Sequence, residues 1–582
     1  MIRVINILFM KKITFIVFFI IFIVNTKAQV YYVSSSQGND QNDGLSIESP
    51  FKSIDKLNSM QFNPGDSIYF KSGDYWEGMF WLKGSGSFNE PIVVDVYGGE
   101  NRPVINGFGY QASILIFNDQ NIEINGLELY NSFSHLDSSE TSTISSQTPN
   151  MFSVGPNNTW TNVFTACVIG DGNNGAMQTF VINVTNLPEY GANYRVIRTV
   201  ANGNWYFAPA QPLSLGLNTI TVNSVDFDRT VKFQFSTGAV EFDAISLNGE
   251  EIYLSGGIVK KLNGFGGVEN SWGSGKNVRF GIKVVASTKD LENFSFNNLY
   301  IHNIFPTPEI EENIHLGYGI KLETQSDTVS GIINTISNVK LLNTTISETG
   351  HYGFWIKSLG LNGIDSVKNN QILVENCNFD NTGGSGFVPN KSENVLVQNC
   401  IFNHTGSSID ERMWKRGSGM WPFDCKNVVA QHNKFMNAHG PMDSYGSHID
   451  YGNENVVFQY NYSLNNEGGF AEILGDNINC GYRYNISVND GYREDPNGTS
   501  WDKKGKIFWI SNFCGQNPVR CPNVGTFIYN NTIFVSDTLN PEIYFWPNVG
   551  DVHVYNNLIV TGQNGQTIPT LLENDPSDLY IS

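Results

Sequence analysis

Between residues 319 and 543 the sequence keeps returning to one short pattern, and that self-similarity restricts the fold more than any other feature. Strand-like runs ending in Asn recur as Val395-Leu396-Val397-Gln398-Asn399, Val428-Val429-Ala430-Gln431-His432-Asn433, Val456-Val457-Phe458-Gln459-Tyr460-Asn461 and Gly481-Tyr482-Arg483-Tyr484-Asn485. The marker asparagines Asn376, Asn399, Asn433, Asn461 and Asn485 are spaced by 23, 34, 28 and 24 residues. A second marker, an apolar run often opened by Gly, recurs at Gly319-Ile320, Gly353-Phe354, Gly386-Phe387, Gly419-Met420, Gly469-Phe470, Lys506-Ile507 and Glu542-Ile543. A unit of about 23 residues with three short strands is one coil of a right-handed parallel β-helix, whose coils stack about 4.8 Å apart. Asn at one turn of every coil can form a ladder. Longer spacings mark coils whose turns swell into loops, chiefly Gly406 to Ser418 and Tyr492 to Lys506. A β-sandwich would instead show hairpin turns every 8–12 residues or so.

Composition narrows the class. Only 15% of the 582 residues are charged and 13% are aromatic, which excludes a disordered chain. The net charge of −20 offers no basic footprint for nucleic acid.

Residues 1–28 read as an export signal: Lys11 and Lys12, an apolar run from Ile13 to Val24, and Thr26-Lys27-Ala28 before Gln29. The apolar run is short for a membrane span of about 20 residues. Removing it takes away Arg3, Lys11, Lys12 and Lys27 and moves the charge from −20 to −24. The expectation is a secreted protein, extracellular or periplasmic, with no membrane attachment after cleavage. Of the seven cysteines, Cys514 and Cys521 flank a loop that a disulfide would staple. Cys377 and Cys400, in matching Asn-Cys contexts, read as stacked small core residues. No CxxC pair or His-rich cluster points to a metal.

The expected fold is therefore all-β, a right-handed parallel β-helix with an inserted β-sandwich. Residues 29–135 are assigned to the N-terminal cap and first coils, 150–254 to the insertion and 255–582 to the main helix. A Ser/Thr-rich stretch, Ser138 to Thr148, reads as a linker. The insertion is inferred from alternating runs such as Thr179-Phe180-Val181-Ile182-Asn183-Val184 and Val231-Lys232-Phe233-Gln234-Phe235. Trp160, Trp205, Tyr190 and Tyr194 there are candidates for stacking on sugar or for core.

In a β-helix the outward face of one sheet forms a groove for a polymer, each coil adding a row of side chains. Alignment by the second marker sets Gly469-Phe470-Ala471-Glu472-Ile473 beside Ser447-His448-Ile449-Asp450-Tyr451. With Ile449, Tyr451, Ala471 and Ile473 inward, His448, Asp450 and Glu472 face out, and the two acids share a column about 5 Å apart. Two carboxyls that close acquire different proton affinities, as glycoside hydrolysis requires of its proton donor and its nucleophile or base. Asp443 and Glu467, in the preceding turns, are the alternative second acids, and Asp410 and Glu411 open a loop placed to cover the groove. Trp355, Trp414, Trp421, Tyr445, Tyr451 and Tyr492 are expected to stack on sugar. Lys357, Arg412, Lys415, Arg416, Arg483 and Arg493 are expected to meet an anionic substrate, such as a sulfated or uronic-acid polymer.

Gly417-Ser418-Gly419-Met420-Trp421, Asn437-Ala438-His439-Gly440-Pro441-Met442-Asp443-Ser444, His448-Ile449-Asp450 and Gly468-Gly469-Phe470-Ala471-Glu472-Ile473-Leu474-Gly475 resemble secreted right-handed β-helix carbohydrate-active proteins of marine polysaccharide-degrading bacteria. Several such families are glycoside hydrolases acting on fucans, carrageenans or related algal polymers. The resemblance implies polysaccharide cleavage around Asp450 and Glu472, and an endo-acting hydrolase of sulfated fucan is the favoured expectation. Hydrolysis calls for no cofactor. Two rivals stand beside it. A polysaccharide lyase would abstract a proton next to a uronate, with His448, Tyr451 and Arg483 as base and neutralising group and Ca²⁺ as a usable partner. A non-catalytic glycan-binding protein is the other.

Overall fold

In the computed structural model, residues 28–107, 112–131, 279–286, 289–305, 317–324, 332–358, 367–498, 503–515 and 518–562 are described, with separate short strands between 161 and 259, at 326–327 and beyond 568. Residues 1–27 of the expected signal 1–28, the linker, Trp160 and Tyr190 lie outside them.

The described coils form a parallel β-helix of three sheets. Sheet I has 14 strands, from Val30–Val33 to Leu579–Ile581, and sheet II has 12, from Tyr75–Glu77 to Leu558–Thr561. Sheet III comprises six strands ending at Phe387–Pro389 and five beginning at Tyr445–Ile449. Met420 joins the two parts through single bridges to Phe387 and Ser447. One short helix, Ile54–Asn58, lies near the N-terminal end, its cap Ser53 accepting from the Lys56 N–H.

Each strand is written in period two. In Ser392–Gln398, Val395 and Val397 turn inward while Leu396 turns out. Phe379, Phe402 and Phe435 stack inside at 4.8 and 4.9 Å, one rung apart. Cys377, Cys400, Cys425 and Cys480 are free and buried in the same core.

The abundance of Asn has two separate causes. Asn433, Asn461, Asn485 and Asn531 form the inner ladder. Each Oδ1 accepts from the backbone N–H of the coil before it at 2.9–3.0 Å, and so satisfies a donor that the turn would otherwise strand. Asn376 and Asn399 are not rungs of this ladder. They stand one residue earlier, at a left-handed corner (φ 55° and 56°) occupied later by His432, Tyr460 and Tyr484. Asn tolerates that conformation better than most residues. Cys377 and Cys400 hold the rung position instead, the Cys400 N–H donating to Asn433.

The coil sequence is interrupted between Asn131 and Arg279. Ala112–Phe117 pairs in parallel with Arg279–Ala286, so the helix resumes on the next rung after the interruption. Within it, strands pair antiparallel in two sheets: Thr161–Val168, Arg229–Phe235, Asn193–Thr199 and Trp205–Phe207 in one; Gly216–Asn223, Met177–Asn186, Glu241–Leu247 and Glu250–Ile252 in the other. Among the described residues no helix is long and apolar enough to cross a membrane.

Candidate active site

The outward face of sheet III carries the candidate site. Strand Tyr445–Ile449 pairs with Gly469–Ile473, which pairs with Lys506–Ile510, so His448, Glu472, Trp509 and Tyr544 form one column. Trp421 precedes His448 in it, the two rings stacked at 5.3 Å and 7°.

This register corrects the expected pairing of acids. His448, not Asp450, stands beside Glu472. Asp450 lies one pleat further along, opposite Leu474, whose N–H donates to the Ile449 carbonyl. From strand rise and spacing it is a diagonal neighbour of Glu472, with Cα atoms roughly 8 Å apart instead of about 5 Å. The alignment slipped by two residues. A slip of two preserves the inward–outward alternation, so the facing of His448 and Glu472 holds while the column does not. Tyr451, expected inward, packs outside the main core on Phe423 and Phe513.

All three polar side chains are buried. His448 and Glu472 are 1% and 0% exposed and Asp450 is 4%. His448 Nδ1 lies 3.4 Å from Glu472 Oε2 without hydrogen-bond geometry, and neither ring nitrogen nor either carboxyl oxygen has a hydrogen-bond partner. Asp450 accepts from the Trp421 indole N–H and from the Tyr451 N–H at 2.8 Å. Burial pushes its carboxyl up to about 7 despite these bonds and the nearby Arg416. Burial and the Asp450 charge raise Glu472 well above the carboxylate range. Burial, helped by Arg416, pushes His448 down to about 3, so the imidazole is neutral.

Asp443 completes the cluster. Its carboxylate is ion-paired with Arg416, and Asp443, His448 and Glu472 place ligand-type atoms within 4.8 Å of one another. This donor set of one imidazole and two carboxyls, one committed to an arginine, differs from the all-oxygen shell of Ca²⁺. Arg416 belongs to the swollen loop from Gly406 to Ser418, which folds back over sheet III. There Trp414 stacks on His351 at 4.2 Å and its N–H donates to the Gly350 carbonyl. Buried Tyr352 lies against Trp355, Trp414 and Trp421.

Glu467 and Arg493 serve the turn that carries Asp443. Glu467 meets His439 Nδ1 at 2.5 Å, the Gly440 N–H at 3.0 Å and Arg493 Nε at 3.3 Å. Burial alone would raise Glu467, but these partners hold it below the usual value. Arg493 donates to the Gly440 and Met442 carbonyls at 2.7 and 2.6 Å and to the Ser444 hydroxyl. Both are positioning groups.

The expected cation cluster is not assembled. Arg412 is paired with Asp410 at 2.7 Å and lies over Phe305. Arg483 is on sheet I, bonded to Gln459 and Tyr529 at 2.8 and 3.0 Å, on a different face of the coil from Glu472. Lys357 lies 5.6 Å over Trp355, which is buried in the outward column three rungs before His448. Tyr445 is buried beside Trp509. The lyase constellation of His448, Tyr451 and Arg483 is likewise dispersed. Tyr352 and Trp509 are the site members that the sequence pattern does not select, while Arg416, one of the expected cations, pairs with Asp443. Aligning Lys506-Ile507-Phe508-Trp509 on the Gly469 marker would have found Trp509. Nothing local distinguishes Arg416 from its neighbour Lys415.

The parallel β-helix is an architecture shared with known proteins. Residues 281–486 match the family described as "Right handed beta helix region". The chain is 24% identical over 556 residues to a lacto-N-biosidase of Bifidobacterium longum subsp. longum, covering 87% of this chain. It spans about a quarter (27%) of the length of that relative. The crystal structure of the GH136 lacto-N-biosidase from Eubacterium ramulus superposes with a TM-score of 0.53 at 16% identity, over 92% of this chain and 68% of that one. Its selenomethionine derivative gives 0.52. The right-handed parallel β-helix is thus common to this chain and to a glycosidase fold.

Proposed function

We propose that the chain is a secreted glycoside hydrolase in which Asp450 is the proton donor and Asp443 the nucleophile or base. The observation that carries this reading is the contrast between two carboxyls in one pocket. Burial raises the proton affinity of Asp450 to near neutrality although the Trp421 indole, donating to it, pulls the other way, while Arg416 compensates the charge of Asp443. Environments that separate two carboxyls in this way are what acid-assisted glycoside cleavage needs. Glu472, paired in register with His448, is not assigned the proton transfer.

The lacto-N-biosidases that the chain resembles supply the first substrate to test, a neutral lacto-N-biose-type glycan. A sulfated fucan is less favoured, because the arginines expected to receive it are paired with Asp410, Asp443 and Glu467 or lie on sheet I. The pairing of Cys514 with Cys521 supports export, as disulfides persist in oxidising compartments.

The test is incubation of the purified chain with 4-nitrophenyl β-lacto-N-bioside, lacto-N-tetraose, sulfated fucan and a uronate polymer, reading nitrophenol, reducing ends and unsaturated product. Nitrophenol or reducing ends from a neutral glycan, abolished in Asp450→Asn and Asp443→Asn, is the expected result. Unsaturated product from the uronate polymer, or unimpaired activity in both variants, overturns it.

A further inference from the structure

We infer that His448 and Glu472 are the recognition pair of this site, hydrogen-bonding adjacent hydroxyls of an uncharged sugar ring, while Asp443 and Asp450 carry out the cleavage. The inference rests on the proposed hydrolase reading and adds to it the class of sugar.

The argument begins with unmet hydrogen bonds. Nearly every buried polar atom in a folded protein is partnered, and each exception calls for an explanation. Here four lie together: both ring nitrogens of His448 and both carboxyl oxygens of Glu472. They occupy neighbouring rungs of one outward column and approach to 3.4 Å. Leaving such groups unsatisfied forfeits their hydration without return, a penalty that folding by itself gives no reason to keep.

The surroundings say what kind of group would satisfy them. Trp421 stacks on one side of the pair and Trp509 stands beside Glu472 on the other, so the polar atoms form an island between two indoles. Flat apolar walls around a few polar atoms suit a sugar ring, which has hydrophobic faces and a hydroxylated rim. A neutral imidazole and a protonated carboxyl together offer both donors and acceptors, as hydroxyls require. A sulfate or carboxylate would instead need a free cation, whereas the cations that reach the site are engaged: Arg416 by Asp443, Arg493 by Glu467 and Lys506 by the Lys504 carbonyl. Because both side chains are covered, a sugar reaches them only as that cover opens.

The test titrates lacto-N-biose and its monodeoxy derivatives into the full-length chain and into Glu472→Gln and His448→Asn, with folding checked by circular dichroism and turnover of the nitrophenyl glycoside measured in parallel. The expected result is that each variant weakens the parent sugar about ten-fold or more, but weakens the derivative lacking the contacted hydroxyl less than about two-fold. Turnover should show the same loss in KM, with kcat less affected. Equal losses for the parent and every deoxy derivative, or no binding of any of these sugars to the unaltered chain, overturn the inference. So does tight binding of Zn²⁺ alone that disappears in His448→Asn, since a metal would then be the missing partner. Sugar binding that follows the expected pattern in a chain that turns over no glycoside sustains the recognition pair while refuting the hydrolase.

Discussion

Arg416 and Asp443 hold each other across the site: the guanidinium from the loop over sheet III pairs with the carboxylate from the turn that opens strand Tyr445–Ile449. Closure of the loop and orientation of the candidate nucleophile are thereby one interaction. The hydroxyl of Ser418, at the end of that loop, reinforces it by donating to the Asp443 carbonyl at 2.8 Å.

Arg416→Ala is expected to lower kcat about 10²-fold, the scale of loss when a reacting group is displaced by about 1 Å. Arg416→Lys keeps the charge but not the fork, and should recover part of the loss. Steady-state kinetics on the nitrophenyl glycoside checks this; kcat unchanged in Arg416→Ala would show that Asp443 needs no anchoring.

Activity should require protonated Asp450. With its carboxyl raised to about 7, kcat/KM is expected to be level just below that pH and to fall about ten-fold per unit above it. Asp450→Asn should lose about 10²–10⁴-fold and with it the alkaline limb. A pH profile of the unaltered chain that stays flat to about pH 9 contradicts the assignment.

The same two burials tilt stability in opposite directions. Asp450 binds its proton more tightly folded than unfolded, so its contribution is complete below the unfolded value near 3.8 and is lost as pH rises to about 7. His448 binds its proton less tightly folded, so its contribution is present above 6.5 and is lost as pH falls towards about 3. Urea midpoints across this range should rise more steeply with pH in Asp450→Asn than in the unaltered chain, and less steeply in His448→Asn. Parallel curves for all three proteins would show that neither group titrates as its burial demands.

The inner ladder should matter for stability and not for chemistry. Asn461 accepts from the Asn433 N–H at 2.9 Å and donates to the Ala430 carbonyl and the Asn485 Oδ1 at 2.9 and 3.0 Å. Asn461→Ala strands buried groups on both neighbouring coils and should cost about 2–3 kcal/mol, read as a lower urea midpoint. Asn399→Ala, at an outer corner, removes no inner rung, and its cost should be limited to the left-handed conformation, about 1 kcal/mol. Equal costs at the two positions would deny the distinction between ladder and corner.

Much of this molecule was legible in order. Period-two strands such as Val395 to Val397, repeated at coil length, require a stack of parallel rungs, because each rung leaves a row of donors and acceptors that only another rung can satisfy. The same alternation made His448 and Glu472 face outward, since facing depends only on parity. Their column did not follow. Coil lengths vary through insertions in turns, so which residue lies opposite Glu472 is settled by how Gly446 and Ser447 seat under the Met420 bridge, and sequence spacing does not encode that. Charge was the least legible of all. Arg416, Arg412 and Arg493 read alike as cations, yet each is paired with a carboxylate, one of them within its own loop and two with a turn of another coil, and Arg483 is on another sheet. Local pattern determines backbone geometry because strand pairing is a short-range, periodic demand. The partners of long polar side chains come from turns 26 or 27 residues away, as for Glu467 with Arg493 and Arg416 with Asp443, and only the stacked tertiary structure brings them together.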